Sequence, residues 1–206
     1  VTGRRALALL TALLFAGLAI AVAAGAFTGL DQWSVDHLMP GAIFTNEEAG
    51  LKEALIPLWG THWDNAWSVA ANVVTFPASF LVALALCLWR SRALAVVVVV
   101  GTAVEALCKE VLVRPALHTG AFHISGFDAS FPSGHTLRTV LVAALVAQPF
   151  GAAWAVASIV LLQLAGWHTP TDIAGGIVLG LLAVLVARAL PDRARRASAR
   201  RGRERG

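Results

Sequence analysis

Two short fragments carry most of the chemistry this chain can do: Pro132-Ser133-Gly134-His135 and His168-Thr169-Pro170-Thr171-Asp172. Each falls at the border of a long apolar run, where ionisable groups are costly to hold and are usually functional. The first reads as a helix start, where backbone N–H groups and the helix dipole favour an anion. Ser133 adds a hydroxyl and His135, in the first turn, a possible acid. In the second, Thr169 with Pro170 after it and Asp172 three residues on reads as a helix cap. Asp172 lies close enough in sequence to accept from one nitrogen of His168 and leave the other free as a nucleophile. The plainer alternative for both fragments is a capped helix with a satisfied interfacial histidine.

The elements that must position these groups are membrane spans. The chain has 206 residues, of which 58% are hydrophobic and 14% charged, with a mean hydropathy of +0.73. That leaves too little polar surface to coat a soluble globule. The net charge of +4 does not indicate nucleic acid, because the arginines crowd into residues 188–205 and a few short loops rather than one basic face. Apolar runs of about 20 residues are needed to cross the hydrocarbon core. Residues 6–30 and 65–89 meet this, and a third run, 93–113, carries Glu105, Lys109 and Glu110 in its last turns. The stretch 139–171 is too long for one crossing and breaks at Gln148-Pro149-Phe150-Gly151, giving spans four and five. Residues 173–190 supply the sixth. The expected fold is all-α, an integral membrane bundle of six transmembrane helices over residues 1–190, with a basic, disordered tail at 191–206.

Charge orients the bundle. Arg4, Arg5, Arg90, Arg92 and the tail fall on one side, while residues 31–64 on the other hold six acids and the single base Lys52. Both termini are therefore expected in the cytoplasm, and both histidine fragments on the outer side of a multi-pass cell-membrane protein. Ala24-Gly25-Ala26 resembles a signal cleavage site, but the first apolar run exceeds a normal signal core, which favours retention. Residues 31–64 suggest an amphipathic helix on the outer surface. Trp33, Trp59, Trp63, Trp67 and Trp167 read as an interfacial belt, and His118 and His123 as solvated loop histidines. Cys87 and Cys108 fall near opposite ends of their spans, too far apart for a disulfide.

Lys109, Arg114, Ser133, His135, His168 and Asp172 thus map to one surface from separate segments. Two cations and a helix N-terminus can neutralise a phosphoryl group, one histidine can attack phosphorus and the other can protonate the departing oxygen. No metal or cofactor is required. Here the chain resembles the type-2 phosphatidic acid phosphatase superfamily, whose motifs are a lysine followed by Arg-Pro, then Pro-Ser-Gly-His, then Ser-Arg with a later His and Asp. The match runs from about Lys109 to Asp172. The resemblance implies that His168 is the nucleophile forming a phosphohistidine, Asp172 its orienting partner and His135 the general acid. It implies a phosphate cradle of Lys109, Arg114, Ser133 and the Gly134 backbone.

The chain departs from the family pattern twice. Lys109 and Arg114 are separated by four residues where the family has six, and Leu161-Leu162 stand where it has Ser-Arg. Arg138, one helical turn after His135, can supply the missing phosphate contact or can pair with Glu105 or Glu110. The expected activity is hydrolysis of a lipid or polyprenyl phosphate or diphosphate at the extracytoplasmic face. The rivals are a non-catalytic lipid-phosphate binder, a phosphotransferase using the same site and, more remotely, a transporter. The partners implied are that substrate and the membrane, not nucleic acid, and the residues do not choose an oligomeric state.

Overall fold

Proline, glycine and serine punctuate the apolar runs, and the helices in the computed structural model end where they fall. The structure describes residues 2–39 and 65–189. Most of the expected amphipathic segment, with Trp59 and Trp63, and the basic tail lie outside the described residues. Helix α1, Thr2–Ala23, stops before Gly25, whose φ of +76° only glycine adopts readily. There the backbone meets the Pro115 ring, whose Cγ would lie 2.8 Å from an added Cβ. Helix α2, Thr28–Leu38, follows. Asn65 caps α3, Ala66–Thr75, by accepting from the Ser68 N–H at 2.9 Å. Pro77 turns the next residues, Phe76–Ala78, into a single tighter turn before α4, Phe80–Arg90. Helix α5 is Arg92–Val111.

A hairpin of two short antiparallel strands, β1 (His118–Thr119) and β2 (Phe122–His123), follows, with His118 opposite His123. Then come α6, Gly134–Ala143, α7, Phe150–Leu164, and α8, Pro170–Ala189. Among the described residues the regular structure is helical apart from this hairpin, and three stretches are long and apolar enough to cross a membrane: Gly3–Ala23, Ala66–Arg90 and Pro170–Ala189. Helix α5 matches them in length but carries three charged side chains near its end.

Where two further spans are expected between residues 139 and 171, the structure has two helices shorter than a full crossing. Helix α6 has 10 residues, about 15 Å of rise against a hydrocarbon core of about 30 Å. It ends in tightened turns, with the Leu145 and Val146 amides bonded to the carbonyls of Val142 and Ala143. Pro149, which has no N–H, then precedes α7, and the Gln148 side chain accepts from the Ala152 amide at 3.2 Å. The break at Gln148-Pro149 lies where the sequence places it, but the helices beside it are short.

Helix α8 is the hub, packed against α1, α5 and α6. Half of its apolar stretch is buried, against 11% for α1, whose Leu7, Leu9, Leu10, Leu13 and Leu14 all face outward. Such a surface suits lipid rather than water. The main core joins Cys87, Val97, Val98, Leu137, Leu141, Leu179 and Val184. Both cysteines are free.

The α6–α8 seam depends on glycine. A Cβ on Gly176 would come within 2.5 Å of the Ser133 carbonyl oxygen, and one on Gly175 would overlap the Phe131 ring. A Cβ on Gly17 meets nothing within 4 Å. Gly176→Ala is therefore expected to destabilise the protein by about 1–3 kcal/mol through overpacking, while Gly17→Ala stays within about 0.5 kcal/mol of the parent. Thermal unfolding of both variants in detergent checks the contrast, and equal melting points would remove the close-approach argument.

Candidate active site

The C-terminal turns of α5, the N-termini of α6 and α8, and the residues leading into them meet at one end of the bundle. Local sequence sets each cap. The Ser133 side chain accepts from the Thr136 amide at 3.2 Å and from its hydroxyl at 3.0 Å, starting α6 at Gly134. At α8, Asp172 Oδ2 accepts from the Thr169 amide at 2.9 Å, and Thr169 Oγ1 faces the Asp172 amide at 3.4 Å. This is a reciprocal capping box with proline at the first helical position. The Ser133 amide donates to the Asp172 carbonyl at 2.9 Å, joining the two caps directly.

That joint brings the histidines together. The rings of His135 and His168 lie 6.1 Å apart between centroids, and Trp167 packs on His135 at 5.7 Å. Trp167 therefore belongs to the site rather than to an interfacial belt alone. The His168 side chain keeps only 10% of its surface open. Burial, and then the positive charge of Lys109, hold its imidazole well below the usual range, so it is neutral and its lone pair is available.

Beside the histidines, Glu105 gathers two cations. Its Oε1 accepts from Lys109 Nζ at 3.0 Å and its Oε2 from Arg138 Nη1 at 3.0 Å. Arg138 is further fixed by its Nε donating to the Ala78 carbonyl at 2.8 Å. Of the two roles open to Arg138, contact with Glu105 is the one present. The Glu105 carboxylate also lies over Gly134, where a Cβ would overlap both of its oxygens.

The structure departs from expectation at two positions. Arg114 is not an open cation beside the histidines. It is buried, and its Nη1 donates to Asp172 Oδ1 at 3.1 Å and to Thr169 Oγ1 at 3.1 Å, while its Nη2 pairs with Asp31. Both terminal nitrogens of that guanidinium are thus taken up by oxygens of the protein. Asp172, expected to bond His168, has Oδ2 at 3.9 Å from Nδ1, beyond hydrogen-bond reach. That oxygen already accepts from the Ser130 hydroxyl at 2.8 Å as well as from Thr169, and His168 Nδ1 is buried with no partner among the described residues.

Asp31, Ser130 and Thr171 join this network without having been singled out in the sequence. Asp31 is fully buried and accepts from the Thr171 hydroxyl at 2.6 Å and its amide at 3.2 Å. The only sequence signal was an isolated acid at the end of an apolar run. His118 and His123 sit on the hairpin, His123 bonded to Asp128 at 2.8 Å, and the His118 backbone is clasped at both its N–H and its C=O by the Gln32 amide. Among the described residues, no three histidine, cysteine or carboxylate side chains group as metal ligands.

The chemistry this arrangement can perform is nucleophilic attack by one neutral imidazole with a second imidazole at hand for the leaving group. Lys109 and Arg138 supply positive charge beside both. Comparison with known proteins adds no precedent: no protein-family model, no curated protein and no solved structure matches the chain.

Proposed function

We propose that this chain is a membrane phosphatase that hydrolyses a lipid or polyprenyl phosphate or diphosphate through a phosphohistidine, as its resemblance to type-2 phosphatidic acid phosphatases implies. The observation that carries the reading is the convergence of His135 and His168, 6.1 Å apart, beside Lys109, Arg138 and the start of α6. A nitrogen of neutral His168 attacks phosphorus, the bond from phosphorus to the leaving oxygen breaks, and His135, which has to enter this step as the imidazolium, gives that oxygen its proton and is left neutral. Water, deprotonated by His135, then attacks the phosphohistidine and releases inorganic phosphate. Ser133 and Gly134 present the first turn of α6 to the phosphoryl oxygens. Arg114 acts from behind, holding Asp172 and hence the α8 cap.

In this reading α3 with α4, α5, α6 and α7 complete six crossings together with α1 and α8, the shorter helices crossing in part by their connecting turns. Arg90 and Arg92 stand at the opposite end of α5 from Glu105, which supports a cytoplasmic face there and an extracytoplasmic site.

One observation favours a second reading, a lipid-phosphate binder without turnover. Leu162, at the family's arginine position, is fully buried, and His168 lacks its carboxylate bond. Phosphate release by the detergent-purified protein from a panel of lipid and polyprenyl phosphates, in chelator, separates the two. Release dependent on His168 supports the phosphatase. A folded protein that binds panel members and releases nothing is the binder.

A further inference from the structure

The cation pair at the head of α6 is already filled by an anion from the protein itself. Glu105 puts one carboxylate oxygen 3.0 Å from Lys109 and the other 3.0 Å from Arg138. The same two oxygens sit over the Gly134 backbone, in space that any side chain there would occupy. A negative group bridging two cations at the first residue of a helix, next to the His135 ring, has the position and charge that a phosphoryl oxygen pair needs. The seat is closed at Glu105, whose side chain is 2% exposed, and opens at Lys109, which is 23% exposed.

We infer that Glu105 is a tethered anion holding the phosphate seat shut, and that a ligand enters only by displacing its carboxylate from Lys109, Arg138 and the start of α6. This rests on the phosphatase reading of the site and adds its selectivity. A carboxylate on the same helix as Lys109 competes at high effective concentration, so every entering anion binds more weakly by the fraction of time the seat is open. Inorganic phosphate has nothing beyond the seat to offset this, whereas a phosphate carried on a larger molecule can offset it by contacts that molecule makes outside the seat. The exchange of carboxylate for phosphate also keeps Arg138, which is 4% exposed, paired throughout, while the displaced Glu105 has to carry its charge out of the interior or take up a proton.

The test uses the full chain in detergent with inorganic phosphate as the probe and chloride at matched ionic strength as the control. Glu105→Gln is expected to melt lower than the parent in chloride and to recover in phosphate. Its apparent phosphate Kd should fall at least about tenfold below that of the parent. Should Glu105→Gln fail to fold, Glu105→Asp, one methylene shorter, gives the same readout with a smaller gain in phosphate affinity. Equal phosphate affinity in parent and variant overturns the inference and leaves Glu105 as a structural partner of Arg138. The readout requires no turnover. His168-dependent release with unchanged phosphate affinity sinks the latch alone. A gain in phosphate affinity without release from any substrate keeps the latch and sinks the phosphatase.

Discussion

Phosphate release is expected to fall by about three orders of magnitude or more in His168→Ala, because the variant has no group to form the covalent intermediate. His135→Ala should behave differently. Its loss, about 10²- to 10⁴-fold on an alkyl phosphate, should shrink on an aryl phosphate whose leaving group departs without a proton. Acid-labile, base-stable label on the protein after a rapid quench with ³²P-substrate would identify the phosphohistidine, and it should be absent from His168→Ala and trapped longer in His135→Ala. Equal losses in both variants on both substrates would refute the division of labour between the two imidazoles.

The largest stability effect is expected at Arg114. Its guanidinium joins Asp31 of α2 to Asp172 and Thr169 of the α8 cap, with all of the charged side chains buried. Arg114→Ala leaves two carboxylates in the interior without their cation, which costs about 3–5 kcal/mol when a buried pair is broken on one side. Arg114→Lys should not restore the protein, because a single ammonium cannot fork between two acids as a guanidinium does. Asp31→Asn should cost less than Arg114→Ala, since Asp172 still neutralises the arginine. Thermal unfolding in detergent checks the order. An Arg114→Ala protein that melts with the parent would overturn this structural role.

Much of this was legible in the sequence where the signal is local. Caps at Ser133 and Thr169 follow from residue types a few positions apart, and the side-by-side placement of His135 and His168 follows from both lying at helix starts. The break at Gln148-Pro149 was equally visible. What could not be read is which partner each long side chain takes. Arg114 looked like a phosphate ligand because its rival acid, Asp31, stands 83 residues away. Asp172 looked like the partner of His168 because a four-residue spacing suits a hydrogen bond, but Arg114, Ser130 and Thr169 compete for the same two oxygens. The helix lengths around α6 and α7 also escaped, since hydropathy marks where a chain is apolar and not where turns tighten.

The network behind the site also ties α2 to α8. Asp31 bonds Thr171 across 140 residues, and Arg114 bonds Asp172 across 58. During synthesis, Asp31 and Arg114 emerge long before α8, and each stays partly unsatisfied until it arrives. Helix α8 is therefore the keystone of the site, and a chain stopped before Pro170 would hold the cations and both histidines with nothing to lock them together.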